Sequence, residues 1–249
     1  MTRLRRLLAL GAGAYLLILL TTFPAARAVN FLQQQVTGLS LQSVNGTVFS
    51  GRAGSVVFDG RDFGAVHWSF RPAALLLGRL EYHVTFNGPL FQGSGDLGSG
   101  LGADFMVHEL VGELQPDSLV NRYLPVPVAT AGVVTLTLAS MQLHDGFPAE
   151  LSGTVLWTQA AIVKPAALSL GKLEITMGGT GDTISAEISN DGGHIAVSGD
   201  LSIRAAGQYT LQLLLKPGPE TDPDFVGMLK SYARPQAGGA YLITESGTW

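Results

Sequence analysis

The chain has 249 residues, 46% of them hydrophobic and only 14% charged, with 15 basic and 19 acidic residues and no cysteine. That apolar content beside a net charge of -4 excludes a disordered chain. The missing cysteine excludes a disulfide scaffold, a thiolate metal site and a cysteine nucleophile. The acidic balance, with no basic tract beyond Arg3, Arg5 and Arg6, argues against a nucleic-acid partner.

Residues 1–6 hold those three arginines, and residues 7–26 then run without a charge as LLALGAGAYLLILLTTFPAA. About 20 such residues at about 1.5 Å each span a bilayer core. Residues 7–26 are therefore expected to be a transmembrane helix, with residues 1–6 cytoplasmic by the positive-inside rule. Ala26-Arg27-Ala28 offers a competing small-x-small cleavage site. An apolar run longer than the roughly 7–15 residues of a signal-peptide core favours an uncleaved anchor. Beyond residue 28 the chain keeps 11 basic against 19 acidic residues, too acidic to lie flat on an anionic membrane.

Residues 27–38 are expected to be a linker, in which Asn30–Val36 extend the membrane helix or form a short stalk. Asn45-Gly46 reads as a hairpin turn, and Asp59 and Asp62 flank another turn. From residue 63 onward apolar and polar residues alternate. Leu80, Tyr82, Val84 and Phe86 alternate with Glu81, His83 and Thr85. Four further alternating segments lie between 172 and 216, separated by turn signals at 178–182, 190–193 and 205–207. Such patterning predicts antiparallel strands with one dry and one wet face. Helices are expected at Pro116 to about Tyr123 and at Pro223 to about Tyr232, the latter capped by Asp222.

The chain repeats itself. PAALLLGRLE at 72–81 and PAALSLGKLE at 165–174 share eight of ten positions, each after a tryptophan, Trp68 or Trp157, and before an alternating strand. The repeat predicts two β-modules, residues 39–143 and 144–249, with the two segments in equivalent conformations. The expected fold is thus mainly β: an N-terminal transmembrane helix, then a duplicated, mostly antiparallel sheet with a few short helices.

Catalytic motifs are missing. Gly93-Ser94-Gly95-Asp96-Leu97-Gly98 matches G-x-G-x-x-G, but the glycines that follow would not support the helix a dinucleotide needs. A turn is expected there. His108-Glu109 begins an H-E-x-x-H motif whose second histidine is Gly112 instead. The five histidines, His67, His83, His108, His144 and His194, are dispersed. No catalytic, cofactor-binding or metal-ligating residue is assigned, and no enzyme activity is expected.

Two motifs carry a resemblance: Asn45-Gly46-Thr47-Val48-Phe49-Ser50-Gly51, and Trp68 followed by Arg71-Pro72-Ala73-Ala74-Leu75-Leu76-Leu77-Gly78-Arg79-Leu80. They resemble the type II secretion system protein N family (general secretion pathway protein N), with Phe49 where that family more often has Trp. The resemblance implies a single-pass protein of the bacterial inner membrane with a periplasmic β-domain. It also implies an accessory part in the secretion machinery, scaffolding or linking the inner-membrane platform and the secretin. Its partners would then be the secretin and the bitopic inner-membrane linker protein. The rival is a periplasmic lipid-handling protein whose curled one-sided sheet forms an apolar groove. An open groove at Ile195, Val197, Leu211 and Leu213 would favour that rival. The stripe from Leu173 to Leu213 is too apolar to stay in water. Phe225, Met228 and Leu229 of the last helix, together with the first module, are expected to cover most of it.

Overall fold

The computed structural model describes residues 11, 22–89, 91–100, 105–116, 129–164 and 167–248. The expected span at 7–26 lies mostly outside them, as does the helix expected after Pro116. Among the described residues no helix is long and apolar enough to cross a membrane. The chain divides into two compact units, Met1–Pro89 and Leu90–Trp249.

In the first unit, helix α1 (Ala25–Gln35) is a separate element. Thr22 to Pro24 are not helical; Pro24 forms a bridge with Thr47, and the Phe23 carbonyl accepts from the Val48 amide at 3.0 Å. Ala25 and Ala26, the last two residues of the expected span, are the first two of α1. Ala25 is buried. Strands β1 (Leu39–Gln42), β4 (Ser55–Phe58) and β5 (Arg61–Asp62) form a small antiparallel sheet with an Asp59-Gly60 turn. Strands β2 (Asn45–Gly46), β3 (Ser50–Ala53), β6 (Ala65–Phe70) and β7 (Leu80–Asn87) pair in that order. Asn45 and Gly46 are paired strand residues opposite Arg52 and Gly51, so the turn falls at 47–49 rather than on Asn-Gly.

The second unit is a long antiparallel meander. Strand β8 (Phe91–Ser99) opens it, and β9 (Phe105–Leu114), β10 (Ala129–His144), β11 (Phe147–Lys164), β12 (Leu168–Thr180), β13 (Thr183–Asp191), β14 (Ile195–Arg204) and β15 (Gln208–Pro217) each pair with the strand before. Helix α2 (Pro223–Tyr232) and the two-residue β16 (Arg234–Pro235) follow. The last strand, β17 (Tyr241–Thr248), returns to β15. The four strands expected between 172 and 216 are present, and so is the helix at 223–232. Its Asp222 carboxylate accepts from the Asp224 amide at 2.8 Å. The glycine-rich run at 93–98 lies inside β8, not in a turn. A Cβ at Gly93 or Gly112 would strike the facing strand, so close backbone approach there requires glycine.

The two copies of the repeated segment differ. Pro72–Leu77 forms a 3-10 turn between β6 and β7, closed by Gly78 at φ 70. In the second copy Leu168 already opens β12, and Gly171, at φ 70, sits at a register shift against β11. The strands that follow, β7 and β12, are both where alternation placed them. The expected equivalence of the turns fails because Leu168 has a tertiary partner in α2: it is 4% exposed and packs with Ile195 and Leu229.

Candidate functional site

Register places a row of apolar residues of the second unit on one face. Ile175 faces Ile188, Ile184 faces Ile203, Leu201 faces Leu211, and Leu213 faces Ile243. Farther along, Val155 faces Ile175 and Leu136 faces Val155. The other face carries Lys172, Glu187, Asp200 and Gln212. A sheet of this kind must shield its dry side with another layer. Helix α2 supplies that layer at one end, where Leu229, Leu168 and Ile195 are nearly fully buried and Phe225, Val197, Leu215 and Tyr241 pack around them. Met228 is corrected from the expected covering set: it is 49% exposed. A ten-residue helix is about 15 Å long and covers only a few strands. Leu173, Ile175, Leu211 and Leu213 remain half-buried.

Side-chain clamps hold the dry face in register. The Asn190 amide donates to the carbonyls of Leu170 at 2.7 Å and Ile195 at 2.8 Å, and its Oδ1 accepts from the Val197 amide at 2.6 Å. One polar side chain thus satisfies backbone groups of β12 and β14 beside the α2 cluster. Thr221 does likewise beneath α2, donating to the His194 carbonyl and accepting from the Gly218 amide at 2.9 Å.

The sheet also has an open border. β16 pairs only with Leu242 and Tyr241, so from Ile243 to Thr248 the outer side of β17 has no strand partner among the described residues. An unpaired border of backbone N–H and C=O groups is a template for an added strand.

In the first unit the quoted motifs form one lock. The Trp68 indole Nε1 donates to the carbonyls of Thr47 and Val48 at 3.2 and 3.1 Å. Its ring lies on Gly51, where any Cβ would overlap it. Thr47 Oγ1 accepts from the Ser50 amide at 3.2 Å. Phe70 stacks edge-on to Phe49, with centroids 5.1 Å apart, and tilts against Tyr82 at 5.5 Å. Burial pushes the Tyr82 phenol above its ordinary pKa. The motif residues thus hold a hairpin and perform no visible chemistry.

Histidines stay dispersed. Among the described residues no group of three His, Cys, Asp or Glu could hold a metal. His108 lies opposite Asp96 across β8 and β9; Asp96 is 3% exposed, and the buried His108 Nε2 has no hydrogen-bond partner among the described residues. His144 is within 3.6 Å of Asp145 and His194 within 3.6 Å of Glu220, both near the surface. Sequence reasoning missed the Asp96–His108 pair, because a bulge between Ser94 and Asp96 sets its register.

Comparison with known proteins converges on one family. The family model described as type II secretion system (T2SS), protein N, matches residues 37–244. A type II secretion system protein N of Aeromonas hydrophila is 27% identical over 241 residues, covering 94% of each chain. The protein of that name from Vibrio cholerae serotype O1 is 23% identical over 214 residues, covering 84% of this chain and 85% of the relative. No solved structure matches. With the hairpin lock of Trp68 inside the matched region and the match spanning most of both units, the chain belongs to the type II secretion system protein N family.

Proposed function

We propose that the protein is an accessory, non-catalytic component of the type II secretion machinery, anchored in the bacterial inner membrane by residues 7–26 with both β-units in the periplasm. It scaffolds or links the inner-membrane platform and the secretin. The observation that carries this reading is the open border of β17 on a long, regular sheet, a surface suited to adding a partner's strand. An anchor confines that border near the membrane and raises its effective concentration for a membrane-bound partner. The partners proposed are the secretin and the bitopic linker protein.

Photo-cross-linking from the exposed Thr244 or Ser246 in envelope membranes tests the reading. Adducts with secretin or platform components support it. Adducts with neither, in cells whose secretion depends on the protein, overturn it.

A second reading, a periplasmic lipid-handling protein, is favoured by the limited reach of α2 over the dry face. Native mass spectrometry of the purified full chain separates the two: co-purified phospholipid lost in Leu213→Asp, with the sheet still folded, favours lipid handling. Unfolding of that variant places Leu213 in an ordinary core.

A further inference from the structure

Among the described residues, three strongly exposed leucines cluster in one short turn. Leu75, Leu76 and Leu77 are 54%, 90% and 75% exposed, and Leu80, at the start of β7, is 47% exposed. The turn is rigid where it meets the sheet. Ala74 is buried, the Gly78 amide donates to the Leu75 carbonyl at 3.0 Å, and the Arg79 amide donates to the Ala74 carbonyl at 3.0 Å. A preformed turn that presents three successive leucines to solvent is not explained by packing within its own unit.

Its position is informative. The Phe23 carbonyl, where the uncharged N-terminal run enters the unit, accepts from Val48; the next residue, Phe49, accepts from the Phe70 amide at 2.6 Å; Pro72 begins the turn two residues later. The leucines and the end of the apolar run thus lie at the same end of the first unit. Arg71 and Arg79 flank the turn at its base; Arg71 is 3.5 Å from Glu81, and Arg79 is exposed.

We infer that the Leu75–Leu77 turn is a second membrane contact, dipping into the acyl boundary of the bilayer in which residues 7–26 are anchored. This rests on the anchoring proposed above. The chemistry recognised is the lipid interface: leucines enter the hydrocarbon and Arg79 remains at the phosphates, where basic side chains are favoured. The contact is a point insertion, so the acidic charge elsewhere on the chain does not oppose it as it would a flat adhesion. Two attachments would fix the tilt of the first unit against the membrane.

The chain has no cysteine, so single positions can be labelled cleanly. Full-length Leu76→Cys and, as a control, Ala205→Cys in the exposed β14–β15 turn are labelled with an environment-sensitive fluorophore. Both are reconstituted in phosphatidylethanolamine–phosphatidylglycerol vesicles, with flotation measured on the same samples. The expected result is that both proteins float. Position 76 is then blue-shifted, several-fold less quenched by aqueous iodide than position 205, and quenched by doxyl-labelled lipid. Flotation with position 76 as iodide-accessible as position 205 overturns the second contact and leaves the anchor standing. Failure to float overturns the anchor and, with it, this inference.

Discussion

Two stretches of nearly identical sequence, 72–81 and 165–174, end in opposite environments. Both follow a tryptophan whose indole N–H clasps backbone beside a glycine. Trp68 donates to Thr47 and Val48 and lies on Gly51; Trp157 donates to the Ala131 carbonyl at 2.9 Å, next to Gly132 at φ 103. Both precede a strand with Leu, Glu and alternating apolar residues. Yet Leu75 is 54% exposed, while its counterpart Leu168 is 4% exposed beneath α2. What is shared is local, a clasp between an indole and a glycine-bearing segment. What differs is set by an element more than fifty residues away, which only the second copy has above it. Sequence identity over ten residues therefore carries the clasp and the strand, but not the burial.

The comparison can be attacked from its strongest contrast. Leu168→Ala should lower stability by about 2–5 kcal/mol through the cavity left among Ile195 and Leu229. Urea denaturation followed by circular dichroism measures this, and a loss too small to resolve would mean that α2 is not the covering layer. The glycines of the two clasps come next. Gly132→Ala forces a side chain into a left-handed backbone and against the carbonyls of Thr158 and Gln159, and should cost about 1–3 kcal/mol. Gly51→Ala should also destabilise, by displacing the Trp68 ring. If only one of the pair destabilises, the clasps are not equivalent.

A finer test keeps an aromatic ring at each site but removes the indole N–H. Trp68→Phe and Trp157→Phe should each cost about 0.5–1.5 kcal/mol, the net worth of one hydrogen bond plus the smaller ring. Matching losses in the same denaturation assay sharpen the parallel. The smallest effect belongs to Leu75→Ala, within about 0.5 kcal/mol in detergent solution, because Leu75 has little packing to lose. A loss as large as that of Leu168→Ala would show that the first copy has a covering layer too.

Much of the sheet was legible in the alternation of apolar residues. Ile184, Ile188, Leu201, Leu211 and Leu213 announce one dry face, and Asp222-Pro223 announces a helix start, because both signals are local. The region from 91 to 114 was less legible. β8 is rich in glycine, which sequence patterning assigns to turns, whereas here glycine admits the neighbouring strand. The bulges at Glu109 and Gln159, each at φ 50, were also hidden, since neither residue type advertises a positive φ. Of the candidate surfaces, the dry face could be read from sequence. The free border of β17 could not, because strand order decides which strand ends a sheet, and β17 joins β15 across α2 and β16.

The pairing order of the second unit has a kinetic side. From β9 to β15 every strand pairs with the one made just before it, and only β17 reaches past an intervening helix. Loop-closure cost is then incurred in small, repeated steps, the condition under which β-structure forms fastest. Such a meander can extend hairpin by hairpin as the chain emerges, N-terminus first, without waiting for a distant partner strand. The advancing strand is always a bare border until its successor arrives, so aggregation risk moves along the chain with synthesis. The risk ends at β17, whose outer side beyond Tyr241 and Leu242 is the one border of this unit that no later strand of the chain closes among the described residues.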